Sequence, residues 1–228
     1  MLLTIAELKE YEVETTDGAT GRISDLYVED GFWFIRYLVV SSGSWLNQHE
    51  VLLLPDIIAE AETTSGRLHI KLTEQQLLDS PPRERHLPIS RQYEEQLADH
   101  YGWARYWLPA TLLGSGHAPT LPVTTTGEKP LTPSDGGEPV LRSLNELLSY
   151  ELRAQPSATL RLADMVLSTR NWQLRYLLVA EEGVGDRPVS LDFVSQCSWE
   201  ERAIQLSLTP AQIQQQEPYL PGPIIGRE

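Results

Sequence analysis

Apolar positions along the chain come in short alternating or continuous blocks, set apart by Gly, Pro and Asp-Gly punctuation, which is the pattern of short strands rather than long helices. The blocks predict strands at 21–29 and 32–40, which form a hairpin, and at 51–54 and 67–72. A second set is predicted at 160–168, 172–180, 188–191 and 203–208. Asp17-Gly18 and Asp30-Gly31 are the clearest turns. The run from Trp33 to Val40 is apolar at nearly every position. A strand of that kind needs cover on both faces, and a small closed or half-closed barrel supplies it.

Helical punctuation brackets each set of strands. Thr4-x-x-Glu7 and Ser143-x-x-Glu146 read as capping boxes that open a short leading helix, while Thr73-x-x-Gln76 and Thr209-x-x-Gln212 open a closing one. Pro81-Pro82 and Pro218 then stop the closing helices, because proline lacks the amide donor and clashes with the preceding turn.

These two sets are copies of each other. At an offset of 139 residues, Thr4–Val40 lies on Ser143–Val179 without a gap and thirteen positions are identical, among them Glu7/Glu146, Tyr11/Tyr150, Asp25/Asp164 and Trp33/Trp172. Arg36-Tyr37-Leu38 recurs as Arg175-Tyr176-Leu177. Chance would give roughly two or three identities in such a window. After a three-residue contraction, Leu72–Leu77 matches Leu208–Ile213. The chain therefore divides into a first unit at 1–82, a linker at 83–139, a second unit at 140–220 and a tail at 221–228.

Within the linker, Tyr93, Leu97, Tyr101 and Ala104 form an apolar stripe at helical period, so a helix is expected over about 90–107 with Ser90 as its cap. The aromatic run Tyr101 to Trp107 gains stability only when buried, so this helix should dock on a barrel. Residues 113–139 are dominated by Gly, Pro, Ser and Thr, the composition of a flexible tether that would let the units move relative to each other. The tail from Pro218 reads as extended, and disordered unless something binds its apolar end at Ile224-Ile225.

Charge narrows the function classes. Lys plus Arg number 18 against 32 Asp plus Glu, a formal net charge of −14, which repels a phosphate backbone and argues against direct nucleic-acid binding. Cys197 is the single cysteine, so no internal disulfide or thiolate cluster is available and a reducing cytoplasm fits best. The longest apolar stretch, 51–58, is broken by Pro55-Asp56, so neither membrane insertion nor a signal peptide is expected.

Candidate chemistry is sparse. Histidines 49, 69, 86, 100 and 117 lack ligand spacing, so no metal site is assigned. Cys197 beside Trp199 has no sequence-adjacent base to make it a nucleophile and reads as structural. No phosphate loop, nucleophile elbow or dinucleotide fingerprint occurs, so no catalytic, cofactor-binding or metal residue is assigned and no enzyme is expected. Arg36 and Arg175 could face a partner carboxylate, but pairing with Asp25 and Asp164 is the favoured reading. The acids Glu10, Glu12, Glu14 and Asp17, with Asp56, Glu60 and Glu62, could steer a basic partner or hold a cation weakly; a solvated face is favoured. Trp103 to Trp107 either completes a barrel core or forms a sticky interface.

The ordered set Leu8, Asp17-Gly18, Gly21-Arg22-Ile23, Asp25-Leu26, Trp33 and Arg36–Val40, with Trp45 before Val51–Pro55 and the closing Leu72–Gln75, resembles the PRC-barrel domain. The second unit keeps Asp164, Trp172, Arg175–Leu177 and Leu208-Thr209 but has Ser157 and Leu160 where the first has Gly18 and Gly21, so it is similar to a divergent second barrel. The resemblance covers roughly 160 residues. It implies a mainly β chain of two small PRC-type barrels in tandem, of the kind found in the cytoplasmic part of the photosynthetic reaction centre H subunit and in ribosome-maturation factors. It also implies a non-enzymatic protein-interaction or regulatory role. Two other readings stay open: an accessory factor for photosynthetic electron or proton transfer, attached peripherally to a membrane complex, and a ribosome-assembly adaptor for a basic ribosomal protein. A protein partner and possible homo-oligomerisation are expected, with no cofactor.

Overall fold

In chain order the elements of the first unit are β1 (Leu2–Thr4), α1 (Ile5–Glu10), β2 (Glu12–Glu14), β3 (Thr20–Glu29), β4 (Ile35–Ser42), β5 (Glu50–Leu53), β6 (Ile58–Glu62), β7 (Arg67–Ile70) and α2 (Glu74–Leu78). Helix α3 (Arg91–Tyr101) follows. The second unit repeats the series as β8 (Leu141–Ser143), α4 (Leu144–Leu147), β9 (Glu151–Ala154), β10 (Ala158–Ser168), β11 (Gln173–Val179), β12 (Arg187–Ser190), β13 (Val194–Ser198), β14 (Ala203–Leu206) and α5 (Pro210–Gln214). These come from a computed structural model that describes residues 1–29, 31–42, 50–62, 65–81, 89–105, 141–181 and 183–220. Trp45, Tyr106, Trp107, the tether at 113–139 and the tail at 221–228 lie outside the described residues.

The chain is mainly β, with two curled seven-stranded sheets, a half-barrel among them. Their orders match: β5-β4-β3-β2-β7-β6 in one and β12-β11-β10-β9-β14-β13 in the other. In each, one inner pair is parallel, β2 with β7 and β9 with β14, and the rest of these pairings are antiparallel. Capping places the helices as expected: Thr4, Thr73 and Thr209 form reciprocal boxes with Glu7, Gln76 and Gln212. Ser143 accepts from the Glu146 amide, but the Glu146 carboxylate turns to the Tyr150 hydroxyl instead of closing the box.

The seventh strand of each sheet comes from the other unit. β1 pairs antiparallel with β10, setting Leu3 opposite Leu167, and β8 pairs with β3, setting Arg142 opposite Val28. The units thus exchange their leading strands, and the helices that follow lie at the seam, α4 on β3 of the other unit and α1 against both β3 and β10. Apolar alternation in three-residue strands is too short to register, which is why β1 and β8 were not read as strands. The same holds for β2, β6, β9 and β13, four or five residues at most and half exposed.

At the centre of this seam, Phe34 bridges Gln173. These two residues are counterparts at the 139 offset, so the pseudo-twofold axis passes between them. On either side the Ile35 amide donates to the Trp172 carbonyl at 2.7 Å and the Leu174 amide to the Trp33 carbonyl at 2.9 Å. Both tryptophans have positive φ, 61° and 52°, a conformation costing a non-glycine residue about 1–2 kcal/mol. That turn starts β4 at Ile35 rather than 32 and β11 at Gln173 rather than 172. It also aims each tryptophan carbonyl across the axis.

One continuous core results. Ile5, Leu8, Leu26 and Leu68 of the first unit and Leu144, Leu147, Leu152 and Met165 of the second are fully buried within a single cluster. Each such leucine contributes about 1.5–3 kcal/mol of transfer free energy. The expectation that the units move relative to each other is corrected accordingly: two backbone ladders, two helices at the seam and a shared core join them.

Candidate interaction surfaces and side-chain clusters

Helix α3 docks as the aromatic density of its sequence predicts. Ser90 accepts from the Tyr93 amide at 3.2 Å, and Gly102 ends the helix at φ 70°, five residues short of the expected 107. Leu97, fully buried, packs with Tyr93, Tyr101 and Trp103 on an apolar patch of Tyr27, Tyr37, Val39, Leu52 and Leu141. That patch is the outer face of β3-β4-β5, the side away from the shared core. Tyr101 and Trp103 stack with centroids 4.3 Å apart, and burial pushes the Tyr101 phenol up. Glu94, 3% exposed, accepts from the Tyr37 hydroxyl at 3.1 Å and from Arg91 at 3.1 Å. A buried carboxylate is tolerated only when held in this way.

The expected Arg–Asp pairs do not form. Asp25 accepts from the Ser143 hydroxyl at 2.6 Å and the Asn145 amide at 3.1 Å, both in the second unit's exchanged segment. Asp164 accepts from the Ala6 amide at 3.1 Å. Each aspartate therefore caps the first turn of the other unit's helix, which explains why both copies carry it. Arg36 instead reaches Glu29, itself 4% exposed, with Nε 2.6 Å from Oε2, and lies over the Phe34 ring at the seam. At the position of Glu29 the second unit has Ser168. Arg175 is exposed and forms no ion pair among the described residues.

Part of the acidic runs pairs locally, while Glu10, Asp56 and Glu60 are exposed. Glu12 and Glu14 flank Arg67 at 3.5 and 3.3 Å, and His69 sits between Glu14 and Glu62 at 3.9 and 3.8 Å. Asp17 takes the Thr15 hydroxyl and the Glu74 amide, which hold its carboxyl below the usual range. Among the described residues no three His, Cys, Asp or Glu side chains gather as a metal cluster. His100 packs edge-on against Tyr101; His49, His86 and His117 lie outside the described residues. An apolar void of about 10 Å³ inside the first unit, lined by Val13, Leu38 and Leu68, is too small for a ligand. A second, about 50 Å³ between Leu160, Arg187 and Ile213, has room only for water. No helix among the described residues is long and apolar enough to cross a membrane.

One cluster on the second unit escaped the sequence reading. The Arg142 guanidinium lies 4.2 Å over the Trp199 ring, Trp199 packs edge-on to Tyr150 at 5.7 Å, and the Arg202 guanidinium lies 5.7 Å over Tyr150. Burial first, then the Glu146 carboxylate on its hydroxyl, push the Tyr150 phenol up to about 12. Half-buried Cys197 stands close enough to add to that rise. The signal lay in the second, 136-residue offset, which puts Arg202 on Gly66. Their carbonyls accept equivalent amides, Glu12 to Gly66 at 2.8 Å and Glu151 to Arg202 at 3.0 Å.

No family model matches the chain, and no curated protein matches it.

Proposed function

We propose that the chain is a non-enzymatic protein-interaction or regulatory module of two PRC-type barrels, which takes an amphipathic helix of a partner protein on the outer face of its second sheet as the first takes its own α3. The observation that carries this reading is α3 on the first unit: a sheet face built from aromatic and branched residues holds a helix by an apolar stripe and one buried hydrogen-bonded carboxylate. Helix-in-groove recognition uses these parts. The matching positions of the second unit are Leu2, Val166, Tyr176, Leu178 and Pro188, with Tyr176 keeping the hydroxyl that meets Glu94 on the first. Leu2, Tyr176 and Pro188 are half-buried there, while Val166 and Leu178 between them are buried.

The test is affinity capture of the full chain from lysate of its own host, in soluble and membrane fractions, beside a Tyr176→Asp variant of unchanged circular dichroism. A stoichiometric protein partner depleted at least several-fold by the variant is expected. Membrane electron-transfer subunits in that position would direct the role to photosynthetic electron or proton transfer, and ribosomal proteins to ribosome assembly. Recovery of the chain alone, or of a partner indifferent to the variant, overturns the reading.

A further inference from the structure

We propose that Arg142, Tyr150, Trp199 and Arg202 form an anion-binding site on the second unit, in which ring-backed guanidiniums take the oxyanion of a phosphate or carboxylate group. This is independent of which partner the face of the second sheet takes.

The first unit acts as an internal control for what the fold itself requires. Where the second unit has Arg142, the first has Leu3, buried in the core and pairing in the same register against the opposite sheet. Opposite Arg202 stands Gly66, with the same backbone hydrogen bond and a matching positive φ of 66°. Trp199 falls on Thr63, while Tyr150 is matched by Tyr11. The scaffold closes without either arginine or the tryptophan. Their presence is a property of the second unit alone.

Two details point to a ligand rather than to packing. Arg202 keeps φ 51° at a turn where glycine serves the first unit without strain, so its side chain is retained against a local backbone penalty. Among the described residues, its side chain makes a 3.0 Å bond to the Ser149 hydroxyl and meets the face of Tyr150. Arg142, in turn, holds its Nε out of water with no acceptor. Among the described residues neither guanidinium has an ion pair, in a chain carrying 32 acidic residues. Glu146 is engaged by the Tyr150 hydroxyl and Glu201 by Arg153. A guanidinium stacked on a ring donates along its edge, and that edge matches the oxygens of phosphate or carboxylate.

The experiment follows the arginine Nε–H signals of the full chain by ¹⁵N–¹H correlation spectroscopy, during titration with inorganic phosphate and, separately, acetate at constant ionic strength. The Arg142 and Arg202 signals should move saturably with one shared Kd, while exposed Arg22 and Arg175 do not. A response to phosphate alone assigns a phosphate ligand; a response to acetate assigns a carboxylate one. Arg142→Leu and Arg202→Gly, each installing the first unit's residue, should weaken binding about tenfold or more. Arg202→Gly should also melt no lower than the unmodified chain. Absence of saturable shifts with both anions, or an Arg202→Gly variant that melts lower while its anion response is intact, overturns the proposal and leaves the cluster a packing device.

Discussion

Asp25→Ala is the perturbation that tests the exchanged architecture most directly, because the aspartate belongs to one unit and the helix it caps to the other. Its carboxylate takes the Asn145 amide at 3.1 Å and the Ser143 hydroxyl at 2.6 Å. Removing it leaves the second amide of α4 without an acceptor, a loss of about 1–2 kcal/mol. For a chain of this size that lowers Tm by about 2–8 °C. Asp164→Ala removes the matching cap on Ala6. The sites share no partner, so the double variant should lose about 2–4 kcal/mol. Asp25→Asn keeps one acceptor oxygen and should lose less than half as much. Circular dichroism and tryptophan fluorescence during urea unfolding should give one coincident transition for every variant. Hydrogen exchange supplies the directional signature: Asp25→Ala should speed exchange at the α4 amides, such as Leu148, bonded to the Leu144 carbonyl at 2.9 Å. Two separate transitions, or faster exchange confined to the first unit, would refute the reasoning.

Three further outcomes follow from the same contacts. A protease site inserted at about residue 125 and cut after folding should leave both halves co-eluting on gel filtration, since the ladders and the core join them without the tether; halves that separate while folded would contradict the seam. Tyr37→Phe removes the hydroxyl that Glu94 accepts from and should lower stability by about 1–3 kcal/mol, with faster proteolysis near α3 as the local readout. Tyr150 and Tyr219 have phenols raised from 10.0 to about 12, chiefly by burial. A group whose folded pKa is raised favours folding below its unfolded pKa and loses that contribution as pH rises. Stability should therefore fall between pH 10 and 12, and Tyr150→Phe should flatten that slope in alkaline melts.

Much of the unit was legible because its signals are local. The β3–β4 and β10–β11 hairpins, the threonine caps and the Ser90-capped α3 all follow from neighbours a few residues apart. Strand exchange was not legible: Leu2–Thr4 and Leu141–Ser143 carry too few residues to show a period, and nothing local says which sheet they join. The recurrence of Asp25 and Asp164 is plain in the sequence, but it points to the equally recurrent Arg36 and Arg175 on their own hairpins, not to the helix ends they cap. Helix ends supplied by a distant segment leave no spacing to read. Arg202 was hidden for another reason, since a positive φ at a non-glycine residue is invisible until the backbone is seen.

Consider the Phe34–Gln173 bridge, where a residue faces its own counterpart. In two separate identical chains related by a twofold axis, every substitution arrives twice, so a side chain on the axis must be compatible with itself. Joining the halves in one polypeptide lifts that condition. Aromatic Phe34 can meet amide-bearing Gln173, Glu29 can hold Arg36 while Ser168 leaves Arg175 exposed, and a glycine turn on one side can become an arginine on the other. Covalent linkage thus turns a symmetric scaffold into one that can specialise each half independently, with the common core holding both to the same frame.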